Sequence, residues 1–406
     1  MSKLLSIAGL CIILLFSVLI SNDRKSINKK MIVTGLILEF ILALAVLKIP
    51  FVESFFNVIG AGVNQLFLFT GQGSSFLFGS LLDTKKTGFI FAFQILPTIV
   101  FISAFMSILY YYNIMQTLIK YLGAAVKKLL NTSGAETMNA VANIFVGQTE
   151  APLFVRPYIP SMTRSEITAM MIAGMGSISV GAMAGYVGLG ISAKHLITAS
   201  VMSAPASLII SKILYPETEK PATLGKIEIT SEQKHRTVIE AFSEATSQGL
   251  SLALNVGAML LTFLALIALV NSLLTTLGGF IGISDLNLSW ILGRLFAPLA
   301  FILGIPSNEI LLAGNLLGQK LVMNEFVAYI SLGDAIKSGA LSPRTITIMT
   351  YALCGFANIS SIGIQLGGIG GLAPERKSDI AQLGIKALIG GTLVTFMNAA
   401  IIGILI

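Results

Sequence analysis

Apolar segments long enough to cross a lipid bilayer recur along this chain and constrain its fold more than any other feature. They lie at about 4–20, 31–48, 89–112, 166–190, 194–213, 251–278, 345–366 and 381–406. A helix needs roughly 20 apolar residues to span a bilayer, and most of these windows approach that length. Charged residues make up only 11% of the 406, whereas soluble domains carry about 25%. The sequence therefore predicts an all-α integral membrane protein with about eight transmembrane helices.

The basic residues between these windows predict the orientation of the chain. The stretch from Arg24 to Lys30 follows the first window and carries four basic side chains. Basic segments of membrane proteins favour the cytoplasmic side, so the N-terminus is expected outside. The basic segments at 120–128 and 375–377 then also lie inside, and the C-terminus lies outside. Topology thus explains the net charge of +7. Because no basic and aromatic stripe accompanies this charge, we expect no nucleic-acid partner.

A polar cluster in the first half of the chain interrupts segments that are otherwise apolar. Gln148, Thr149 and Glu150 stand between the short apolar runs 140–146 and 151–155. Burying a carboxylate or an amide in lipid is costly, so such residues are functional candidates by default. Because neither run is long enough to span, we predict a re-entrant hairpin that lines a cavity. The alternative is that these side chains only bond to neighbouring helices.

The next apolar window carries a dense group of small residues at 174–181. Small residues in membrane helices most often permit close helix packing. Beside a polar hairpin they also permit local unwinding, which would release carbonyl and hydroxyl oxygens that can coordinate Na⁺. The sequence leaves both possibilities open.

The second half of the chain repeats this pattern. Pro306 to Glu309 opens a short apolar stretch, and Lys320 and the pair 324–325 follow it. Gly, Ser and Asn then interrupt the window at 355–363. Three predicted crossings separate the two polar hairpins, so the second should enter from the opposite face. This is the inverted repeat with a central site that many secondary transporters use. Lys320 stands close enough in sequence to balance the charge of Glu325.

Two further segments favour a position along the membrane surface. In 51–82, Phe residues alternate with Gly, Ser, Gln and Asn, and 282–301 carries the single Trp290 beside Arg294. Both patterns suit interfacial helices. The only long polar stretch, 214–248, is expected to be a cytoplasmic loop that leads into an amphipathic helix.

Four motifs carry a resemblance to a known family. They are GQTEAP at 147–152, GMGSISVGAMAGYV at 174–187, GQKLVMNEFVAY at 318–329 and CGFANISSIGIQLGGIG at 354–370. In this order and spacing they closely resemble the concentrative nucleoside transporter family, over nearly the whole chain. The resemblance implies a bacterial inner-membrane homotrimer with eight transmembrane helices and two opposed re-entrant hairpins. It also implies nucleoside uptake driven by a cation gradient. Membrane lipid is then expected to surround the protein.

On this basis the chain divides into five segments. Residues 1–48 hold two transmembrane helices, and 49–137 form a scaffold of interfacial helices and the third transmembrane helix. Residues 138–213 hold the first hairpin with transmembrane helices four and five. Residues 214–302 form a second scaffold of the cytoplasmic loop, the sixth transmembrane helix and an interfacial helix, and 303–406 hold the second hairpin with transmembrane helices seven and eight.

The resemblance also implies binding residues, carried over motif by motif. The base-binding positions fall on Gly147, Gln148, Thr149 and Glu150, with Ala182 near the base, and the ribose-binding positions fall on Glu325, Asn358 and Ser361, with Phe356 lining the site. The Na⁺ ligands fall on Asn143, Val146, Ser177 and Ile178. Amide, hydroxyl and carboxylate groups can satisfy the donors and acceptors of a nucleobase, and an ionised Glu325 can accept from ribose hydroxyls.

Two positions bear on specificity. Some relatives have a larger aliphatic residue in place of Ala182, so the preference for purines or pyrimidines cannot be carried over. Asn143 is the residue found in sodium-coupled members, whereas some proton-coupled members have a smaller hydroxyl residue there. The sequence therefore favours Na⁺.

The leading hypothesis is a secondary active symporter that imports nucleosides by alternating access, coupled to the Na⁺ gradient and without another cofactor. One alternative is proton coupling with Glu150 or Glu325 as the carrier, and another is a passive facilitator or channel. An enzyme is not expected, because the chain has only two His and no nucleophile paired with a base. Those two, His195 and His235, are expected to be solvated.

Overall fold

The computed structural model describes residues 2–88, 90–224, 236–283 and 286–406 of the chain, and over these residues it is helical without strands. His235 lies outside this part of the chain. The α-helices are α1 Ser2–Leu19, α2 Lys29–Lys48, α3 Pro50–Phe78, α4 Thr84–Thr87, α5 Phe91–Gln94, α6 Leu96–Tyr111, α7 Ile114–Leu130, α8 Gly134–Ala142, α9 Arg164–Met175, α10 Val180–Gly188, α11 Ala193–Leu214, α12 Val238–Ile281, α13 Leu288–Ile302, α14 Ile310–Val322, α15 Glu325–Lys337, α16 Pro343–Leu353, α17 Ile359–Leu372 and α18 Lys377–Leu405. Short 3₁₀ helices occupy Gly79–Leu82, Ala151–Ser161 and Pro374–Arg376.

Within the described ranges, eight helical segments are long and apolar enough to cross a membrane by length and composition. This number equals the predicted one, but the members differ at two places. The run Pro50–Leu82 qualifies with 33 residues, although its pattern favours an interfacial helix. The window 345–366 does not qualify, because it is interrupted between α16 and α17.

The segment Arg164–Gly188 is one of these eight, and it is broken in its middle. Helix α9 ends at Met175, and α10 begins at Val180. The Ser179 side chain accepts a hydrogen bond from the Ala182 N–H and so caps the new helix. Serine competes with a helix for backbone hydrogen bonds and is favoured at caps. The small residues of this segment therefore permit local unwinding here, which the sequence left open against simple packing.

A second break separates α16 from α17. Its residues are Cys354 to Asn358, and the Asn358 side chain caps α17 by accepting from the Ser361 N–H at 3.1 Å. The two breaks touch, because the Phe356 N–H donates to the Ser177 carbonyl at 3.1 Å. A Cβ atom on Gly355 would lie 2.9 Å from the Met175 carbonyl oxygen, so only glycine allows this close approach. Two interrupted helices thus cross at their unwound parts.

The ends of each polar segment lie together. Before α8, the Ser133 hydroxyl donates to the Glu166 carboxylate at the start of α9 at 2.5 Å, across 33 positions. Before α14, the Glu309 carboxylate accepts from the Ser342 N–H at 3.1 Å and from its hydroxyl at 3.0 Å, also across 33 positions. The chain therefore leaves and returns to one place around each polar segment.

Burial separates the helices into an inner and an outer group. The inner group includes α11, in which 89% of the apolar window is buried, and the α9–α10 segment and α18. The outer group includes α3 and α12, whose windows are 6% and 11% buried. Helix α12 packs along α6 and exposes large apolar side chains such as Leu261 and Phe280. Apolar surface of this extent is typical of a protein in contact with lipid or with other subunits.

Candidate functional site

The first polar segment forms a non-helical turn between α8 and the 3₁₀ helix Ala151–Ser161. The Glu150 carboxylate accepts hydrogen bonds from the Thr149 hydroxyl and the Gly147 N–H. Gly147 has no side chain, and a Cβ atom there would collide with the Glu150 carboxylate. The second arm is a 3₁₀ helix that begins at Ala151. Pro157 and Pro160 lie inside this helix and lack the N–H donors that an α-helix needs.

The second acidic group lies at the start of α15. Asn324 caps this helix by accepting from the Val327 N–H at 2.9 Å, which places Glu325 in the first turn. Its carboxylate is buried and accepts from the Tyr186 hydroxyl at 3.0 Å and from Asn358 Nδ2 at 3.2 Å. Glu325, α10 and the second break therefore meet at one point.

The predicted base and ribose positions are brought together. Gln148 Nε2 donates to the Ser361 hydroxyl at 3.3 Å, although the two residues are 213 positions apart. Thr149 packs against Gly368 on α17, where a Cβ atom would lie 2.8 Å from Thr149 Cγ2. Phe356 lies half-buried in the second break, and Ala182 lies in the first turn of α10. Carboxylate, amide and hydroxyl groups thus converge from the two halves of the chain.

The four predicted cation positions lie on the end of α8 and on the first break. The two elements are joined, because the Val180 N–H donates to the Phe145 carbonyl at 3.2 Å. Asn143 Nδ2 donates to the Asn139 carbonyl at 2.9 Å, but Asn143 Oδ1 is buried without a hydrogen-bond partner. A buried oxygen without a partner is costly unless something binds it. The neutral oxygen donors of this region fit a hard cation such as Na⁺.

Lys320 is fully buried and attracts the Glu325 carboxylate electrostatically, as the sequence predicts, but neither a hydrogen bond nor an ion pair joins the two side chains. Its ammonium group donates to the Ala352 carbonyl at 2.8 Å and to the Thr395 hydroxyl at 2.6 Å. It also lies 5.7 Å from the centre of the Phe396 ring. The second break leaves carbonyls of α16 without helical partners, and the ammonium group satisfies one of them. Lys320 therefore ties the second break to α18.

Sequence reasoning missed two residues of the site, Tyr186 and Gln365. Tyr186 contacts Glu325, and Gln365 Nε2 donates to Gln148 Oε1 at 3.1 Å. Each lies four residues after a predicted site residue, Ala182 and Ser361, and so on the same face of its helix. That spacing is a signal that the sequence already contains.

We expect Tyr186→Phe to weaken nucleoside binding by about tenfold, because Glu325 loses one of its two side-chain hydrogen-bond donors. Equilibrium binding to the purified protein measures this effect. Tyr351→Phe is the matched control, since it removes another buried hydroxyl that contacts His195 rather than Glu325. An unchanged affinity in Tyr186→Phe would show that this hydrogen bond does not support the ribose side.

A cavity of about 820 Å³ opens beside the first polar turn. Gly147 and Glu150 line it together with Tyr110 of α6 and Gln248 of α12. Glu150 is exposed to this cavity, whereas Glu325 is only 6% exposed and does not line it. The predicted base-binding residue Glu150 therefore faces open space, whereas the predicted ribose-binding residue Glu325 does not.

His195 is not solvated as the sequence suggests. It lies half-buried near the start of α11, and its Nδ1 is 3.2 Å from the Tyr351 hydroxyl. Helix α16 packs against α11, which brings these two side chains together. The two residues are 156 positions apart, so no local sequence pattern indicates their contact.

Comparison with known families matches nearly the whole chain. Residues 8–81 match the domain described as "Na+ dependent nucleoside transporter N-terminus", and residues 195–403 match its C-terminal counterpart. Residues 92–193 match a domain described as "Nucleoside recognition".

Individual relatives cover the chain to its full length. It is 46% identical to an uncharacterized transporter of Haemophilus influenzae, over 100% of this chain and 98% of that protein. It is 41% identical to the nucleoside permease NupC of Helicobacter pylori, with the same coverage of both chains. Among solved structures, CNTnw in an inward-facing substrate-bound state is 42% identical with a TM-score of 0.94, covering 100% of this chain and 98% of that one. A variant of CNTnw in an outward-facing state matches with the same identity, coverage and TM-score.

Proposed function

The chain belongs to the concentrative nucleoside transporter family, and on that premise we propose that it imports nucleosides together with Na⁺ across the bacterial inner membrane. It is a multi-pass membrane transporter and not an enzyme.

The observation that carries the substrate assignment is the convergence of two chemically different groups of side chains. Gln148, Thr149 and Glu150 offer both donors and acceptors, as the edge of a nucleobase requires. Glu325, with Asn358 beside it, offers carboxylate oxygens that ribose hydroxyls can donate to. The bond between Gln148 and Ser361 joins the two groups at 3.3 Å. A molecule with a base at one end and a sugar at the other fits this arrangement.

Na⁺ coupling is supported by the buried Asn143 Oδ1 that has no hydrogen-bond partner. With the carbonyl oxygens of Val146 and Ile178 and the oxygens of Ser177, it would form a neutral oxygen site at the junction of α8 and the first break. When bound, Na⁺ would supply the positive charge that holds these oxygens together. Because the junction also carries the Gly147 turn, cation binding would stabilise the base side of the site.

We further propose that the two polar segments are re-entrant hairpins from opposite faces of the membrane. Each has its two ends at one place, joined by Ser133 with Glu166 in the first half and by Glu309 with Ser342 in the second. Each is followed by a helix that breaks near its middle. Repeats of this kind in transporters are related by an axis in the membrane plane.

Alternating access then requires the inner helices to move against the outer pair α6 and α12. The cavity lies between this pair and the first polar turn. It is lined by the start of α12, next to the polar stretch that the charge distribution places in the cytoplasm. We therefore propose that the described conformation is open to the cytoplasm. The exposed apolar faces of α3 and α12 would contact lipid and the other subunits of a homotrimer, with both termini outside.

We expect nucleosides to compete for one site far better than free bases or ribose do, because only a nucleoside engages both groups of side chains. Competition against labelled uridine on the purified protein in Na⁺ measures this directly, with uridine, cytidine, adenosine and inosine beside uracil and ribose. If uracil competed as well as uridine, the ribose half of the site would be refuted.

A further inference from the structure

Gln365 occupies a position next to the site that its burial and its hydrogen bonds make unusual. It lies on α17, is fully buried, and donates both N–H groups of its amide. One goes to Gln148 Oε1 at 3.1 Å and the other to the Met171 carbonyl at 2.9 Å. Its own Oε1 has no hydrogen-bond partner. A buried amide that donates both N–H groups while its oxygen has no partner is held in one orientation by its neighbours.

The Met171 carbonyl determines that orientation. A backbone carbonyl can only accept hydrogen bonds, so the side of Gln365 that faces Met171 must be its NH₂ group. Turning the amide over would bring two oxygen atoms together in a buried place. The same NH₂ group faces Gln148, so Gln148 must present its oxygen to Gln365.

The opposite end of this chain of hydrogen bonds imposes the same direction. The Ser361 hydroxyl donates to the Phe356 carbonyl, which again can only accept. With its proton used there, Ser361 offers a lone pair to Gln148, and Gln148 Nε2 donates to it at 3.3 Å. Two backbone carbonyls thus fix the Gln148 amide from both sides, with its oxygen toward Gln365 and its nitrogen toward Ser361.

Gly174 of α9 keeps the two glutamines in place. A Cβ atom there would lie 2.8 Å from Gln148 Cβ and 2.8 Å from Gln365 Nε2. Both side chains therefore pack directly on the α9 backbone, which restricts their rotation.

From this geometry we propose that Gln365 is a positioning residue for base selectivity: it fixes the Gln148 amide so that the site presents an N–H donor to the nucleobase. This inference rests on the proposed function. The oxygen of Gln148 is engaged by Gln365, while one N–H remains after the bond to Ser361. The favoured nucleobase must then place a keto oxygen or a bare ring nitrogen at this point. Uridine and cytidine, or inosine and adenosine, differ in such groups because a keto oxygen accepts where an amino group donates.

The test is the discrimination within these keto and amino pairs, measured as the ratio of dissociation constants on the purified protein in Na⁺. In the parent we expect one member of at least one pair to bind better. Gln365→Met keeps the length of the side chain but removes both donors, so Gln148 can turn over. We expect the ratio of dissociation constants to move toward one by about five- to tenfold, because the loss of one hydrogen bond changes affinity by about this factor. Gln365→Glu, which also lacks N–H groups, should move it in the same direction and serves if the Met variant does not fold.

A double-mutant comparison separates positioning from general damage. In a Gln148→Met background, Gln365→Met should leave the ratio unchanged, because Gln365 acts through Gln148. Gln319→Met, which removes another buried amide on α14, is the matched control and should keep the parent ratio. The inference is overturned if the parent shows no discrimination, if Gln365→Met keeps the parent ratio, or if its effect persists without Gln148. A parent that binds no nucleoside at all would refute the proposed function itself.

Discussion

Glu325→Gln is expected to weaken nucleoside binding by about 10- to 100-fold, because hydrogen bonds to a charged group contribute roughly 1.5–3 kcal/mol. The carboxylate accepts from Tyr186 on one oxygen and from Asn358 on the other. An amide in its place turns one acceptor into a donor that faces another donor. We expect Glu150→Gln, on the proposed base side of the site, to weaken nucleoside binding by a similar factor. Equilibrium binding of uridine and adenosine to the purified variants measures both effects.

The control for these variants is Glu375→Gln, an exposed acid before α18 that should bind nucleosides as the parent does. Each variant should elute as a monodisperse protein, since the substitutions keep the size of the side chain. If monodisperse Glu325→Gln bound both nucleosides with the parent affinity, the ribose assignment would be wrong.

Removal of Na⁺ is expected to have the second large effect. If the cation binds at the junction of Asn143 and the first break, it must bind the arrangement that forms the base site better than any other. Linkage makes the effect reciprocal, so Na⁺ should tighten nucleoside binding and nucleoside should tighten Na⁺ binding by the same factor, about 5- to 150-fold. Titration of uridine binding at increasing Na⁺, with choline as the replacement ion, measures this factor.

Asn143→Ser should reduce this factor, because a shorter side chain withdraws the oxygen from the junction. Asn398→Ser on α18 is the matched control, as it shortens another buried Asn that is not one of the predicted Na⁺ ligands. Uridine affinity that is independent of Na⁺ in the parent would contradict the cation site.

The number of long apolar helices could be predicted because bilayer thickness fixes their length and composition. It was harder to predict which segments form these helices. Pro50–Leu82 has the lowest mean hydropathy of the eight segments, 1.2. Its regular pattern of Phe and polar residues therefore favoured an interfacial helix in the prediction, although the segment is long enough to span. The window 345–366 is apolar enough on average to suggest a full span, although Gly, Ser and Asn at 355–363 mark the place where the helix is interrupted. The sequence pattern could not show that the Phe356 N–H of this interruption donates to the Ser177 carbonyl of the other interrupted helix.

For the site, the sequence could supply residue types but not their partners. Gln148 and Ser361 were both predicted, yet only the fold shows that they bond to each other. Lys320 illustrates the limit most clearly. It lies five positions before Glu325, but α14 ends at Val322, so the two residues do not share a helix face. Its ammonium group instead turns to the second break and α18. Tyr186 and Gln365 were within reach of helical spacing, since each lies one turn beyond a predicted residue.

The most direct test of the account is nucleoside accumulation by the purified protein in sealed liposomes. Labelled uridine is added outside under an inward Na⁺ gradient, under an inward proton gradient with choline, and with choline alone. We predict concentrative uptake only with the Na⁺ gradient, lost when the gradient is dissipated and absent in liposomes without protein. Uptake that does not depend on Na⁺ but is lost when the pH gradient is removed would contradict Na⁺ coupling and establish the proton as the coupling ion. Uptake that only equilibrates under every gradient would show a passive facilitator and contradict symport altogether.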